Sequence, residues 1–199
     1  MRRSASAGTP VNETVVQISE RNLKRLVSLI DNVLKLERFK LEELTVRPQA
    51  LCPAQVIQEV ISDNSHDAEA KGLHLINAVD PSLKMQIDPD LFRDAISNLV
   101  QNAVKYTTAG SVRVESREQH CGIIFEVIDS GSGVSAAQES TLFRTVQPGE
   151  GGGVGIGLLI VHRAVTAQGG TVGVKSKPGE GSIFWFCLPR IVRAREVTN

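Results

Sequence analysis

The chain has 199 residues, of which 41% are hydrophobic and 22% are charged, so it is long enough to bury a core in one or two globular domains. Its 22 basic and 22 acidic side chains balance, which argues against a broad positive surface for nucleic acid or a membrane. Three widely spaced cysteines, and the lack of an apolar run near the roughly 20 residues of a membrane span, indicate a cytoplasmic protein without a disulfide framework.

The first predicted element is a long helix over residues 12–39, which follows a small, polar tail over residues 1–11. Its apolar side chains recur three and four positions apart, so they form one stripe along the helix. A lone helix leaves such a stripe uncovered, and we therefore expect it to pack either on the following domain or on other helices. The stripe consists of Leu23, Leu26, Val27, Ile30, Val33 and Leu34.

The elements that follow mix helices and strands. Pro53 opens a predicted helix that continues to about residue 70, and Asp88 precedes a second helix that ends at Tyr106. Neighbouring strands at hairpin spacing indicate antiparallel pairing. We therefore predict an α+β fold, a two-layer sandwich of a mixed, largely antiparallel sheet with helices on one face, preceded by the long N-terminal helix. The predicted strands are 73–79, 111–115, 122–128, 171–176 and 182–188, and the last helix is 158–168.

The helix that ends at Tyr106 carries the first candidate group. Asn98, Asn102 and Lys105 stand at positions i, i+4 and i+7, so they share one face while the apolar residues point elsewhere. Amide oxygens suit Mg²⁺ as ligands, and an ammonium beside them suits a phosphate. A solvated helix face is the alternative that these three residues alone leave open.

The second candidate group follows the predicted strand over residues 122–128. This strand is rich in β-branched residues and delivers Asp129 to its end, where Gly131 and Gly133 allow close approach to the backbone. A carboxylate in this place can accept a hydrogen bond from the exocyclic amine of a purine. Asp-x-Gly-x-Gly is also the composition of an ordinary turn, which stays open as an alternative.

The third candidate group is the glycine-rich segment 149–157, which precedes the helix over residues 158–168. Backbone N–H groups and the positive end of a helix dipole together favour an anion such as a phosphate. A flexible linker is the alternative, but the helix begins directly at Leu158, where a linker has no reason to stop.

Two other nucleotide-binding motifs are excluded. The chain contains no G-x-x-x-x-G-K-[ST] segment, so it is not a P-loop protein. Residues 131–136 fit G-x-G-x-x-A, but no second strand ending in an acidic residue follows within the ~20 residues that a dinucleotide-binding fold requires. A Rossmann fold is therefore not expected.

Taken in order, these groups resemble the motifs of the ATP-binding domain of sensor histidine kinases, which belongs to the superfamily of gyrase, heat-shock chaperones and MutL. The asparagine box resembles residues 98–107, the first glycine box residues 129–133, the phenylalanine box residues 142–143, and the second glycine box residues 153–158. The segments 88–91, 181–184 and 188–189 are similar as well, and the resemblance extends over residues 50–190.

The resemblance implies ATP and Mg²⁺ as cofactors. It makes Asn102 the Mg²⁺ ligand, Asp129 the reader of adenine, and Lys105 with Tyr106 the lining of the phosphate and ribose side. Asn98 stands where relatives place a residue that orients or activates the reacting group, so Asn98 and Lys105 are the catalytic candidates. The implied nucleotide-binding residues are Asn98, Asn102, Lys105, Tyr106, Asp129, Gly131, Gly133, Gly153, Gly155, Gly157 and Leu158.

The same resemblance divides the chain. Residues 12–46 resemble the second helix of the dimerisation and phosphotransfer hairpin, residues 47–192 the catalytic domain, and residues 193–199 a tail. The first hairpin helix, which carries the phosphorylated histidine, has no counterpart, and the segment around His66 does not continue as an acceptor motif. The implied partners are therefore a histidine-bearing hairpin helix on a missing upstream segment or another chain, a response regulator receiver domain, and a second copy in a homodimer. A membrane anchor elsewhere in the parent protein is compatible with this division.

The lid, residues 134–152, is where the sequence departs from the family. It is short, and Arg144 to Val146 follow Phe143 where relatives place a second aromatic residue. A second hypothesis follows from this departure and from the missing histidine. The chain would then be a non-catalytic nucleotide-binding or interaction module of the same fold, with ATP setting its conformation or its binding to a partner.

Overall fold

In the computed structural model the described residues are 45–120, 122–139, 141–143 and 156–192, with scattered positions between residues 15 and 34. Described elements in chain order are β1 (Gln49–Leu51), α1 (Pro53–Asp63), α2 (Ser65–Glu69), β2 (His74–Asn77), β3 (Met85–Ile87), α3 (Pro89–Tyr106), β4 (Ser111–Gln119), β5 (Gly122–Asp129), α4 (Ala136–Glu139), α5 (Gly157–Ala167), β6 (Thr171–Lys177) and β7 (Gly181–Leu188).

A five-stranded sheet in the order β2-β4-β5-β7-β6 forms one layer. Strand β2 runs parallel to β4, and the other neighbouring pairs are antiparallel. The β4–β5 and β6–β7 pairs are hairpins, as the spacing of their sequences predicts. The prediction of an α+β fold with a mixed, largely antiparallel sheet and helices on one side is therefore confirmed.

Aromatic side chains join helix α3 to the sheet. The ring of Phe92 meets the rings of Phe125 on β5 and Phe186 on β7 edge-on, at centroid distances of 5.0 and 5.9 Å. All three side chains are fully buried. Burying a side chain of this size stabilises the fold by roughly 1.5–3 kcal/mol, so this cluster fixes α3 on the sheet.

Asp88 fixes the start of α3. Its Oδ1 accepts hydrogen bonds from the backbone N–H groups of Asp90 and Leu91, at 3.0 and 3.1 Å, and this is the N-cap that the sequence predicts. Its Oδ2 accepts from the N–H of Arg47 at 2.8 Å, while the N–H of Asp88 itself donates to Oε1 of Gln168 at 2.9 Å. The first turn of α3 is thus tied both to the segment before β1 and to the residue that ends α5.

The helix predicted over residues 53–70 is divided into α1 and α2 at Asn64. The backbone of Asn64 leaves helical geometry at φ −103° and ψ 2°, and its Nδ2 donates to the carbonyl of Val60 at 2.8 Å. An asparagine that satisfies a helix carbonyl with its side chain competes with the next turn of the helix, which explains the break.

The two-stranded ribbon of β1 and β3 is a further difference, because the sequence analysis did not predict it. Its strands pair antiparallel and have three residues each. Strands of this length are too short to show the alternation of apolar and polar residues by which a strand is recognised.

Part of the predicted N-terminal helix can be compared with the structure. The described positions between residues 15 and 34 are helical, and Leu23, Leu26 and Ile30 are 63%, 56% and 59% exposed. The following domain therefore does not cover these three side chains, and packing on other helices stays a prediction. The tails 1–11 and 193–199 lie outside the described residues. No helix in the described part of the chain is long and apolar enough to cross a bilayer.

Candidate functional site

Helices α3 and α5 meet at Gly157, the first residue of α5. A Cβ atom on Gly157 would lie 2.8 Å from Oδ1 of Asn98 and 3.8 Å from Nδ2 of Asn102. Both asparagines are half-buried, and Nδ2 of Asn98 donates to the carbonyl of Asp94 at 2.7 Å, which orients its amide. The two asparagines and the N-terminus of α5 thus form one polar cluster, and they are not separate features of a solvated helix face.

Lys105 and Tyr106 lie at the C-terminal end of α3, about one turn beyond Asn102. The ammonium of Lys105 donates to the hydroxyl of Tyr106 at 3.1 Å and stands 4.8 Å from the centre of its ring. Both residues are exposed, Tyr106 by 43%. The pair therefore presents a positive charge and an aromatic ring to solvent at the edge of the candidate site.

Asp129 ends β5 and is buried. Burial raises the pKa of its carboxyl group above the ordinary value of 3.8, and hydrogen bonds from the backbone N–H groups of Gly131 and Ser182 oppose that shift. The bond from Gly131 to Oδ1 measures 2.8 Å. A carboxylate held in such low-dielectric surroundings is a strong acceptor for a ligand N–H group.

The glycines after Asp129 are required by close backbone contacts. A Cβ atom on Gly131 would lie 2.7 Å from the carbonyl oxygen of Tyr106 and 2.8 Å from Oδ1 of Asp129. Gly133 has a φ of +69°, and its Cβ would lie 2.2 Å from the carbonyl oxygen of Lys177. The backbone bends at Gly131, whose N–H donates to Oδ1 of Asp129, and this bend brings Asp129 against the C-terminal end of α3.

Thr107 follows α3 and is a residue for which the sequence analysis gave no role. It is fully buried, and among the described residues its Oγ1 has no hydrogen-bond partner. The hydroxyl lies 3.2 Å from where a Cβ on Gly131 would stand, and therefore on the side of Asp129. A buried hydroxyl without a partner is costly, so it marks a place where a polar ligand or water completes the structure.

Lys71 is the second residue that the sequence analysis missed. Its ammonium donates to the carbonyl oxygens of Val104, Lys105 and Thr107, at 2.7, 2.9 and 3.4 Å. The contacts join residues more than 30 positions apart, so no local pattern in the sequence predicts them.

The lid and the second glycine box are only partly described. Gly153, Gly155 and residues 144–152 lie outside the described residues, while Leu158 is half-buried in the first turn of α5. Phe143 is buried, and its ring meets that of Phe184 on β7 edge-on at 6.4 Å. The phenylalanine box is thus packed against the sheet.

The donor set of the site was compared with what Mg²⁺ and a nucleotide need. No group of three His, Cys, Asp or Glu side chains in the described part of the chain is placed to hold a metal. The site offers the amides of Asn98 and Asn102 beside a helix N-terminus, and oxygen ligands of this kind suit Mg²⁺ when phosphates and water supply the remainder. The cluster at Gly157 and the unpaired hydroxyl of Thr107 both fit a nucleotide with its metal.

The sequence matches a family of ATPases and is similar to known sensor kinases. Residues 87–191 match the family described as histidine kinase-, DNA gyrase B-, and HSP90-like ATPase. The chain is 30% identical over 190 residues to the sensor protein GacS of Pseudomonas syringae pv. syringae, a match that covers 89% of this chain and 21% of GacS. It is 31% identical over 194 residues to the adaptive-response sensory kinase SasA of Synechococcus sp. (strain JA-3-3Ab), covering 94% of this chain and 52% of SasA.

Solved structures give the same result. Full-length ShkA in complex with AMPPNP matches with a TM-score of 0.81 and 29% identity, over 96% of this chain and 42% of ShkA. The histidine kinase AdeS of Acinetobacter baumannii matches with a TM-score of 0.77 at 18% identity, over 92% of this chain and 87% of that structure, and shares the fold. The chain spans about a fifth of GacS and about half of SasA.

Proposed function

The chain belongs to the histidine kinase-, DNA gyrase B-, and HSP90-like ATPase family, and on that premise we propose that it transfers the γ-phosphoryl group of ATP to a histidine outside this chain. The parent protein is then a two-component sensor kinase, of which residues 47–192 are the catalytic domain. The observation that carries this proposal is the buried Asp129, which stands against the C-terminal end of α3. In this proposal the adenine binds where these two elements meet.

Asp129 reads the adenine in this proposal. Its carboxylate accepts the N–H of the exocyclic amine, while the N–H groups of Gly131 and Ser182 hold it from the protein side. The unpaired hydroxyl of Thr107 gives a further polar contact, directly or through water. A purine with a carbonyl in place of the amine would face the carboxylate with an acceptor, so the site favours adenine over guanine.

The phosphates extend from this end toward the N-terminus of α5. Lys105 and Tyr106 line the phosphate and ribose side, and the backbone N–H groups at Gly157 and Leu158 face the anion. Asn102 supplies an amide oxygen to Mg²⁺, with Asn98 beside it to orient the reacting group. The metal, when bound, neutralises charge on the phosphate oxygens.

The transfer step needs little covalent chemistry from the protein. A ring nitrogen of the acceptor histidine forms a bond to the γ-phosphorus, the bond to the β–γ bridging oxygen breaks, and ADP leaves with that electron pair. The contribution of this chain is to hold ATP in place and to balance its charge. The acceptor histidine lies on a hairpin helix upstream or on a partner chain, a response regulator receiver domain takes the phosphoryl group next, and the hairpin helices pair two copies.

Titration calorimetry of ATP and ADP with Mg²⁺ tests the nucleotide site. We expect the wild type to bind both nucleotides, and Asp129→Asn and Asn102→Ala each to weaken the affinity about 10-fold or more, since each removes a contact to the ligand or its metal. Asp63→Asn, at the exposed end of α1, is the matched control and keeps the wild-type affinity.

Two outcomes contradict parts of the proposal. A well-folded wild type that binds neither nucleotide contradicts the ATP site itself. Nucleotide binding without transfer of labelled phosphate to a supplied histidine-bearing hairpin would favour the non-catalytic module. In that case ATP sets the conformation of the domain and no phosphoryl group moves.

A further inference from the structure

We propose that Lys71 is a positioning residue for the nucleotide site, because its ammonium holds the C-terminal end of α3 in the place that the site requires. This inference rests on the proposed function. It starts from the three carbonyl oxygens that the ammonium contacts, those of Val104, Lys105 and Thr107. A lysine ammonium has three N–H donors, and this set of contacts uses them all.

The end of a helix explains why a cation is needed there. The last carbonyls of a helix have no partner within it, and they form the negative end of its dipole. At the end of α3 the N–H of Thr107 donates to the carbonyl of Ala103 at 3.0 Å, which is one further helical hydrogen bond. The ammonium of Lys71 donates to carbonyls that follow Ala103. Its charge also offsets the negative helix end that an anionic nucleotide would otherwise meet.

Backbone hydrogen bonds hold the turn that carries Lys71, so its side chain starts from a defined place. The N–H groups of Lys71 and Leu73 both donate to the carbonyl of Ala68, at 3.0 and 2.9 Å, and Ala68 is buried. Gly72 between them has a φ of +65°, a conformation that glycine adopts without strain. The turn between α2 and β2 therefore holds Lys71 beside the end of α3.

The same turn of α3 touches the adenine end of the site from the other side. The carbonyl oxygen of Tyr106 and Oγ1 of Thr107 lie 2.7 and 3.2 Å from where a Cβ on Gly131 would stand, and Gly131 donates to Asp129. Lys71 on one side and the Gly131 loop on the other thus enclose residues 106–107. If Lys71 releases its carbonyls, the wall that faces Asp129 moves.

Nucleotide affinity measures this role. Lys71→Met keeps most of the aliphatic stem and removes the donors, and we expect it to weaken Mg-ATP binding about 5- to 10-fold in a folded protein. Lys71→Arg keeps the charge and several donors, so it loses less than about 3-fold. Lys84→Met, at an exposed lysine before β3, keeps the wild-type affinity.

A core variant separates positioning from general loss of stability. Ile57→Val removes one buried methyl group from α1 and so destabilises the fold, while it leaves every hydrogen bond of Lys71 in place. We expect it to lower the melting temperature and to leave the affinity for Mg-ATP unchanged. An equal loss of affinity in Ile57→Val and Lys71→Met would overturn the proposal.

Amide hydrogen exchange in the nucleotide-free protein gives a second readout, which does not depend on the proposed function. We expect Lys71→Met to speed exchange at Thr107 and Gly131, and Ile57→Val to leave those two amides relatively unaffected. Wild-type protein that binds no nucleotide overturns the proposed function, and the exchange rates then decide the role of Lys71 alone. Unchanged exchange at both amides, or wild-type affinity in Lys71→Met, overturns the role of Lys71.

Discussion

Asp129 combines two properties that oppose each other. Its carboxylate is buried, which raises the pKa and makes the charged form costly in the folded protein, yet the charged form is the one that would accept the adenine amine. Groups that serve a ligand at the expense of stability are typical of functional sites. Substitution should therefore separate stability from binding at this residue.

We expect Asp129→Asn to melt at the same or a higher temperature than the wild type at pH 7 without nucleotide, while it binds Mg-ATP more weakly. The folded-state pKa is raised, so this carboxyl contributes stability that is complete below the ordinary value of 3.8 and is lost as the pH rises through the folded pKa. Asparagine keeps one oxygen for the N–H of Gly131 and carries no charge.

Thermal melts of both proteins from pH 3 to pH 8 check the sign. The wild type should gain stability relative to the variant as the pH falls through the raised pKa of Asp129, and the difference should become constant below about 3.8. If the wild type instead loses stability relative to the variant as the pH falls, then hydrogen bonds, and not burial, determine the pKa of this carboxyl group.

At the scale of elements, the N-terminus of α5 shows that the best residue for a helix and the best residue for the site can differ. Gly157 is a weak helix former, and alanine in a helix interior is preferred to glycine by roughly 1 kcal/mol. The glycine nevertheless leaves room for the site where α5 meets α3, because a Cβ would lie 2.8 Å from Oδ1 of Asn98 and would force that amide to shift. Helix propensity and the site therefore favour different residues at position 157.

Gly157→Ala is expected to leave the free energy of unfolding within about 1 kcal/mol of the wild type, because the gain in helix propensity offsets the contact. The new methyl group displaces the amide of Asn98, so the affinity for Mg-ATP should fall about 10-fold. Calorimetry and chemical denaturation measure the two quantities on the same samples.

Gly169→Ala is the matched control for this prediction. It changes a turn glycine at the other end of α5, with a φ of +75° and no heavy atom within 4 Å of a Cβ placed on it, so it should lower stability and keep the affinity. Wild-type affinity in Gly157→Ala would mean that the amide of Asn98 has room to move.

The elements that the sequence predicts well are those with a periodic pattern. Helix α3 shows the 3.6-residue period, a cap at Asp88 and an amide stripe, and the structure retains all three. The break at Asn64 and the short strands β1 and β3 have no such pattern, because side-chain competition and tertiary pairing decide them. The local sequence pattern is thus sufficient to predict long helices and strands, and it is insufficient to predict where they are interrupted.

At the scale of the whole molecule, the candidate site is assembled from three parts of the chain that are distant in sequence. Asn98 and Asn102 come from α3, Asp129 from β5, and Gly157 from α5. The motifs predict which residues matter, and the fold brings the described ones together. Lys71 and Thr107 were missed because they meet the site through residues far away in the sequence. The spacing of residues along the chain does not show such contacts.

Asp88 connects the candidate site to the rest of the molecule. One carboxylate oxygen caps α3 and the other binds the N–H of Arg47, in the segment that leads from the N-terminal helix. The N–H of Asp88 reaches Gln168 at the end of α5. The carboxylate of Asp88 therefore joins the start of α3 to the segment before β1, and the backbone N–H of the same residue joins it to the end of α5.

Asp88→Ala is expected to lower the free energy of unfolding by about 1–2 kcal/mol through the lost cap, with a further loss from the freed N–H of Arg47. Denaturant unfolding gives the first quantity, and amide exchange at Arg47 reports the second. Asp90→Ala, an exposed acidic residue in the same first turn, should cost less than about 1 kcal/mol and leave Arg47 protected. Equal effects of the two substitutions would mean that Asp88 acts only as a charge near the helix dipole. A selective effect would show that the carboxylate of Asp88 holds the segment before β1 on the first turn of α3, the helix that also carries Asn98 and Asn102.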